Sequence, residues 1–397
     1  MLRRELFFAI ARSEGAVEPY DNNSVKVAGC DDQELELTLR LALVPGVGPR
    51  IRQALLERFG SPEAVFSASQ AALRETSGVG VKLAQAISAA RNNLDIAGLI
   101  AECRDDNVGI ITQCDDAYPR LLQEIHDPPG VLFVDGQLQS ADALAIAIVG
   151  TRHATNYGLA QAQGLAAGLA RAGLTIVSGL ARGVDAAAHR GALKAGGRTI
   201  AVLASGVRNI YPPEHEELAA EIASQGAVVS EAPPRVAPRS GVFPQRNRVI
   251  SGMSLGVLVI EAAARSGALI TARHAMEQGR DVFALPGRVD NRVARGCHAL
   301  LRDGAKLVES PDDILEELGP LVSPATAADG ETVHHPGELL LNDLEREVLA
   351  KVQADATSID DIVTASGLPA HQVLSALSVL EMRRLIRRLS GQFVCRV

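Results

Sequence analysis

The apolar positions along the chain change their spacing twice, and these changes divide the chain. The first part has apolar residues at helical spacing, the middle part has short continuous apolar runs between helical stretches, and the last part returns to helical spacing. A segment rich in Pro, Gly and Ser, typical of a linker, precedes the last part. The predicted units are a poorly ordered extension (1–30), a helical domain (31–130), an α/β domain (131–319), a linker (320–337) and a domain of three helices with a hairpin (338–397).

The middle part predicts a parallel sheet. Its apolar runs contain few polar residues, which is typical of strands buried on both faces. Helical stretches separate most of the runs, so the predicted class is α/β, a doubly wound Rossmann-like core. Residues 108–140 predict a connector that contains one short strand, Val131–Val134. The other predicted strands are Ala145–Val149, Thr175–Ser178, Thr199–Leu203, Ala227–Ser230, Leu255–Ile260 and Val282–Leu285.

The helical domain repeats one pattern, helix, Gly-Val-Gly, helix, at residues 46–48 and 78–80. This pattern predicts two helix-hairpin-helix units, whose glycines let backbone N–H groups approach a phosphate. Arg50, Arg52 and Lys82 follow the hairpins and could assist. The alternative is a tight turn that needs glycine for its backbone, and the acidic balance of the domain favours this packing role.

Three helices followed by a hairpin predict a winged helix at the C-terminal end. Its basic cluster is Arg383, Arg384, Arg387 and Arg388. The third helix, predicted over His371–Arg384, has no Lys or Arg between Pro369 and Leu380, whereas a helix that reads DNA normally presents such residues. The sequence therefore favours an interaction module over a DNA-reading domain.

Composition excludes several classes of protein. Apolar residues make up 47% and charged residues 22% of the chain, which excludes global disorder. The longest apolar run, Ala143–Val149, is strand-sized, so no membrane insertion is expected. The five cysteines are scattered and form no CxxC pair, which argues against a disulfide framework and a zinc site and predicts a reduced, cytoplasmic protein.

Charge is distributed unevenly. The net charge is −8, yet residues 235–295 contain ten arginines, no lysine and four acidic residues, a local balance of +6. Such a local excess predicts an anion site rather than a basic coat. Aromatic residues are only 3% of the chain and Trp is absent, so extensive base stacking is not expected.

Small and polar residues follow the predicted strands, where open parallel sheets place their sites. Together with helix N-termini they predict a phosphate cradle, while the absence of a GxGxxG fingerprint disfavours a dinucleotide cofactor. The candidate residues at these strand ends are Gly150, Thr151, Arg152, Ser178, Gly179, Arg182, Gly183, Ser266, Gly267 and Thr271.

A further candidate is the segment Phe243-Pro244-Gln245-Arg246-Asn247-Arg248, interpreted as a loop between two strands. Two arginines flanking Asn247 suit bidentate phosphate contacts, and Arg239 lies just upstream. The competing interpretation is that one arginine is buried and pairs with Glu231 or Glu261.

Four other polar residues are predicted to support the pocket. Asp185 and His189 lie four apart on a predicted helix and could be mistaken for an acid–base pair, but capping and orienting the Ser178 loop is the favoured role. Glu231 and Glu261 follow strands. They could instead serve a Rossmann-like enzyme that hydrolyses nucleoside monophosphates, which is the alternative function. A purely regulatory winged-helix protein is a weaker third possibility.

Taken together in order and spacing, the motifs of the α/β region resemble the DprA/Smf family, and the flanking domains also fit. Thr151 replaces the usual serine, Pro213 replaces a lysine found in many members, and Arg239 could replace a basic residue before Phe-Pro. The motifs are Val149-Gly150-Thr151-Arg152, Ser178 to Asp185 with His189, Tyr211-Pro212, Ser230-Glu231, Phe243 to Arg248, Ser266-Gly267 to Thr271-Ala272, and Leu285-Pro286-Gly287.

The resemblance implies a non-enzymatic protein that binds and protects single-stranded DNA and loads the RecA recombinase on it during natural transformation. It implies a homodimer that has RecA as a partner and single-stranded DNA-binding protein as a further candidate partner. It implies neither metal nor cofactor. The family's DNA pocket corresponds to Gly150–Arg152, the Ser178-Gly179 loop and the segment Phe243–Arg248.

Overall fold

The computed structural model describes residues 32–319, 325–327, 330–389 and 392–397. The predicted extension, 1–30, lies outside the described residues. A mixed sheet of nine strands forms the centre of the described chain, in the order β1-β2-β6-β5-β4-β3-β7-β8-β9. Its strands are β1 (Gly109–Thr112), β2 (Val131–Gly136), β3 (Ala145–Val149), β4 (Thr175–Ser178), β5 (Thr199–Leu203), β6 (Ala227–Ser230), β7 (Gly256–Val259), β8 (Asp281–Ala284) and β9 (Lys306–Leu307).

The sheet confirms the predicted α/β class. Strands β3 to β9 pair in parallel, and each predicted strand of the core is present within one or two residues. One prediction was incomplete: β1 lies in the segment interpreted as a connector and pairs with β2, which pairs antiparallel with β6. The sheet therefore begins at Gly109, ahead of the expected boundary at residue 131.

Helices precede the sheet, link its strands and cover both of its faces. They are α1 (Asp32–Ala42), α2 (Pro49–Phe59), α3 (Pro62–Ser67), α4 (Gln70–Arg74), α5 (Val81–Asn93), α6 (Ile96–Asp105), α7 (Arg120–Gln123), α8 (Asn156–Arg171), α9 (Val184–Lys194), α10 (Glu216–Gln225), α11 (Val242–Gly252), α12 (Ala268–Glu277), α13 (Arg295–Arg302) and α14 (Pro311–Glu317).

The chain reverses its direction of travel across the sheet at β3. From β3 it proceeds through β4 and β5 to β6, and then it crosses back to β7 on the other side of β3. The carboxyl ends of β3, β4 and β7 therefore meet at a topological switch point, which is where open α/β sheets bind their ligands.

The predicted helix-hairpin-helix tandem is confirmed, since α2 and α5 each begin directly after a Gly-Val-Gly turn. The two arginines that follow the first hairpin both contact the neighbouring segment of the chain, although 73% of the Arg50 side chain remains exposed. Arg52 is buried and donates to Gln113 Oε1 at 2.7 Å, and Arg50 contacts His126 and Asp127. These contacts attach the hairpin to the α/β domain, which supports the packing role.

The winged helix is also confirmed. It contains α15 (Asp343–Lys351), α16 (Ile359–Ser366) and α17 (Ala370–Met382), with strands β12 (Thr357–Ser358), β13 (Ile386–Arg388) and β14 (Phe393–Arg396). The described part of the expected linker holds a short antiparallel pair, β10 (Ala325–Thr326) and β11 (Thr332–Val333).

No single helix in the described ranges has the length and apolarity needed to cross a membrane. One bent pair, Ile359–Ser366 with Ala370–Met382, reaches that length and composition jointly, across a bend of 117°.

Candidate nucleic-acid interface

A cleft of about 690 Å³ lies at the switch point of the sheet. Its walls come from the ends of β3 and β4, from α11, and from the turn that begins α12. It brings together most of the predicted site residues, which confirms that the separate strand-end motifs meet in space. Those lining it are Gly150, Thr151, Arg152, Asp185, Phe243, Arg246, Asn247, Ser266, Gly267 and Thr271.

Arg152 is the exposed cation of this cleft. Its guanidinium carbon lies 5.4 Å from the centroid of the Phe243 ring, within the range of a cation–π contact. The Phe243 ring meets Tyr211 edge to face at 5.8 Å between centroids. The two rings therefore support a charged group that remains open to solvent.

The backbone that carries Arg152 is fixed from two sides. The Thr151 N–H donates to the Glu261 carbonyl oxygen at 2.7 Å, and the Thr151 carbonyl accepts from Val184 N–H at 3.3 Å. Gly183 approaches so closely, at a φ of +77°, that a Cβ there would lie 2.3 Å from the Thr151 carbonyl oxygen. A glycine at position 183 is thus required for the ends of β3 and β4 to meet.

The Ser178 hydroxyl was predicted to face DNA, and the structure corrects this. Ser178 is completely buried, and its hydroxyl donates to the Ile148 carbonyl oxygen at 2.6 Å. Gly179 is also buried, beneath Arg246. The loop after β4 therefore lies beneath the cleft. The Ser178 hydroxyl does not face the cleft but holds β4 to β3.

The segment interpreted as a loop at Phe243–Arg248 is the first half of helix α11, and its two arginines are buried. Arg246 donates to the carbonyl oxygens of Gly179 and Val202. Burial lowers the pKa of Arg246 to about 10, and Asp185 opposes that shift, so the group remains charged at neutral pH.

Arg248 faces away from the cleft. It pairs with Glu231 and donates to the Asp127 carbonyl oxygen at 2.8 Å. This is the competing interpretation that the sequence left open, in which a buried arginine braces the strand ends. Both arginines act on the protein rather than as free cations.

Asp185 performs the predicted supporting role. Its carboxylate accepts from the Ala181 N–H at 3.3 Å and thereby orients the loop after β4. Burial raises the pKa of Asp185, while Arg246 and the loop amides lower it.

His189 does not reach that loop, contrary to prediction. It is buried, with Nδ1 lying 2.7 Å from Thr199 Oγ1, and that hydroxyl donates to the Ile176 carbonyl oxygen. The imidazole therefore donates from Nδ1. Burial lowers the pKa of His189 to about 3, assisted by His215 and Arg246.

Both glutamates proposed for an alternative hydrolase are bound to protein groups. Glu261 accepts from Thr155 N–H at 2.8 Å and from Thr155 Oγ1 at 2.6 Å, and so holds the start of α8. Glu231 pairs with Arg248. Neither carboxylate lines the cleft.

The remaining predicted residues lie at the rim. Arg182 pairs with Glu214 in an exposed contact, and Arg239 is exposed. Asn247 donates to the Gly267 carbonyl oxygen at 3.3 Å, and the Ser266 hydroxyl accepts from Ala268 N–H at 3.3 Å at the start of α12. These contacts order the rim without occupying Arg152 or Arg239.

Three polar or aromatic residues of the cleft lining lie outside the predicted site: His153, Tyr211 and Ser240. Tyr211 belongs to a Tyr-Pro motif that carried the family resemblance, so that motif was an available signal. His153 directly follows Arg152, and Ser240 follows Arg239. Among the residues that the structure describes, no group of three His, Cys, Asp or Glu side chains could hold a metal ion.

A Rossmann-like sheet with an arginine-bearing cleft at its switch point, flanked by a helix-hairpin-helix tandem and a winged helix, defines a three-domain class of DNA-associated proteins. Three family models match in that order: SAM-like helix-hairpin-helix tandem over residues 38–92, DNA recombination-mediator protein A over 109–319, and DprA winged helix domain over 332–392. The chain belongs to the DprA/Smf family of DNA-processing proteins.

Individual relatives agree with this assignment. The chain is 38% identical to Protein Smf of Synechocystis over 88% of this chain and 95% of that protein. It is 43% identical to the DNA processing protein DprA of Bacillus subtilis over 55% of this chain and 74% of that one. The crystal structure of DNA processing protein A from Streptococcus pneumoniae superposes with a TM-score of 0.63 at 35% identity, covering 72% of this chain and 98% of that chain.

Proposed function

We propose that this protein binds single-stranded DNA in the cleft at the switch point, without cleaving it, and hands the strand to the RecA recombinase during natural transformation. The observation that carries the binding step is Arg152, an exposed guanidinium held over Phe243 in the lining of the cleft. A phosphate can meet this guanidinium directly, while the neighbouring rings offer apolar surface to a sugar or base.

Backbone groups add to this site. Helix α12 begins at the cleft wall, after Ser266 and Gly267, and the partial positive charge of a helix N-terminus favours a phosphate. Contacts to the DNA backbone carry no sequence information. Binding should therefore depend little on base sequence and strongly on salt.

The partners in this proposal follow from the family. They are RecA and a second copy of this chain in a homodimer, with single-stranded DNA-binding protein as a further candidate partner and the protein acting in the cytoplasm. The winged helix serves as an interaction module in this scheme, because α17 contains no Lys or Arg between Ala370 and Leu380.

The test compares single-stranded and double-stranded oligonucleotides across a salt series, with wild-type protein and Arg152→Ala. Loss of one charge-assisted contact should weaken single-strand binding about ten- to a hundredfold. Arg91→Ala, which removes an exposed arginine from α5, is the matched control and should bind normally. Unchanged affinity in well-folded Arg152→Ala would refute the assignment of the cleft.

The second step, transfer of the strand to RecA, is tested by an assay of RecA filament assembly on single strands coated with single-stranded DNA-binding protein. Wild-type protein should speed filament assembly, and Arg152→Ala should lose this effect in proportion to its lost DNA affinity. If the wild-type protein hydrolyses DNA or nucleoside monophosphates and Glu261→Gln abolishes that activity, the non-enzymatic role is refuted.

A further inference from the structure

A second cavity, of about 630 Å³, lies beside the cleft and has no role in the function described so far. It is formed by the first turn of α8 and by the loop after β8, which contains the Leu285-Pro286-Gly287 motif. The residues that matter here are Asn156, Tyr157, Pro286, Gly287, Arg288 and Asn291.

Tyr157 presents an aromatic ring in this cavity. The residue is 47% exposed, the largest exposed fraction among the aromatic residues that the structure describes. Its hydroxyl donates to the Pro286 carbonyl oxygen at 3.2 Å. Because the hydroxyl is engaged, the ring is held in place, and a planar ligand that stacks on it loses little side-chain entropy.

The loop opposite the ring is both ordered and cationic. His298 Nε2 lies 2.9 Å from the Gly287 carbonyl oxygen, and the Asn291 side chain accepts from Val293 N–H at 3.1 Å. Arg288 extends into solvent, with 84% of its side chain exposed, and among its described neighbours it contacts only Asp290, whose side chain is 66% exposed, through two hydrogen bonds of 2.9 and 3.1 Å. Solvent and salt screen an exposed pair of this kind, so a phosphate can compete with Asp290 for the guanidinium.

The second cavity continues the cleft along the chain. Arg152 and His153 line the cleft, and Thr155 to Tyr157 line the second cavity, with only Ala154 between them. Glu261 fixes the intervening backbone through its two contacts with Thr155. The two surfaces are therefore adjacent parts of one rigid edge.

We infer that Tyr157 and Arg288 form a second nucleotide subsite, in which a base of the strand leaving the cleft stacks on the Tyr157 ring and its phosphate meets Arg288. An exposed aromatic beside arginines is the general means of holding single-stranded nucleic acid without reading its sequence. This inference rests on the proposed function, because the cleft must hold the neighbouring nucleotides.

The test uses the absence of tryptophan from the chain. Tyr157→Trp introduces a single fluorophore, whose emission should be quenched by single-stranded oligonucleotides that extend beyond the cleft and not by ones that fill the cleft alone. Tyr157→Ala should weaken binding of the longer oligonucleotides about tenfold and leave binding of the short ones unchanged. Tyr157→Phe, which keeps the ring but loses the hydroxyl contact with Pro286, should bind the longer oligonucleotides more tightly than Tyr157→Ala does.

A scan with single abasic positions locates the stacked base. At one position, an abasic site should lower the affinity of the wild-type protein. The same abasic site should not lower the affinity of Tyr157→Ala, because that variant already lacks the ring on which the base stacks. Val289→Ala, which shortens an exposed side chain next to Arg288 in the loop after β8, is the matched control. Melting temperatures of all variants should match that of the wild type.

Two failures can be distinguished. If Arg152→Ala weakens both oligonucleotide lengths while Tyr157→Ala binds both normally, the subsite is refuted and the cleft stands. If neither variant weakens binding, the proposed function itself is refuted.

Discussion

The guanidinium of Arg246 lies directly against Gly179 and donates to its carbonyl oxygen at 2.9 Å. A Cβ at position 179 would lie 2.7 Å from both terminal nitrogens of Arg246. The arginine of α11 thus holds the loop after β4 in position from above, and the absence of a side chain at Gly179 makes the contact possible.

We expect Arg246→Ala to lower the free energy of unfolding by about 3 kcal/mol, because two carbonyl oxygens would lose a charged donor in a buried place. Gly179→Ala should cost about 1–3 kcal/mol by overpacking. In the Arg246→Ala background the glycine substitution should cost clearly less, since its clash partner is gone. Urea unfolding of the four proteins measures this, and strictly additive costs would contradict the contact.

The pair Arg248–Glu231 should contribute to stability and little to DNA binding. Arg248→Ala leaves a carboxylate beside the core without its partner, so we expect a loss of about 3–5 kcal/mol in the free energy of unfolding. The double variant Arg248→Ala with Glu231→Ala should lose less free energy of unfolding than the two single variants lose in sum. The matched control is Arg58→Ala in an exposed pair with Glu75, which should cost less than about 1 kcal/mol.

The salt dependence of binding should come from two exposed arginines, Arg152 in the cleft and Arg239 at its rim. Each neutralised phosphate of a single strand contributes about 0.7 to the slope of log K against log salt. Removing Arg152 and Arg239 together should therefore flatten the slope by about one to one and a half units, equally on different base sequences. If the double variant folds and keeps the wild-type slope, these two arginines do not contact the phosphates. The control, Arg91→Ala, should leave the slope unchanged.

His189 should make the protein less stable in mild acid. Its pKa lies at about 3 in the folded protein because of burial, below the ordinary value of 6.5. The unfolded chain therefore binds more protons, and stability falls as the pH drops from about 6.5 toward 3, by up to about 1.4 kcal/mol per pH unit. His189→Asn removes the titrating group and should show a smaller decrease between pH 7 and pH 5. Parallel curves for the two proteins would exclude His189 as the cause.

The periodicity of the sequence predicted the sheet well because strands buried on both faces are uniformly apolar. Strand β1 was not predicted, because it has only four residues, Gly109–Thr112. It also lies at the edge of the sheet, where alternate residues are only half buried. Prolines just beyond it further favoured a connector.

Helix α11 was missed for a related reason. Pro244 was interpreted as a loop residue, yet it lies in the first turn of α11, where a missing N–H costs nothing because the first four N–H groups of a helix have no intrahelical partner. Once the segment is helical, residues 246 and 248 point to different sides. Their burial depends on packing against Gly179 and Glu231, distant positions that local pattern cannot connect.

Helix α1 belongs to the helical domain by sequence, but Leu35 and Leu39 are buried in the same cluster as Phe133 of β2 and Val228 of β6. Burying two leucines contributes about 3–6 kcal/mol, comparable to the whole margin of stability of a domain. The winged helix, by contrast, has a hydrophobic cluster of its own. In hydrogen exchange, the amides of α1 should therefore exchange together with those of the central strands, and those of α17 should exchange independently.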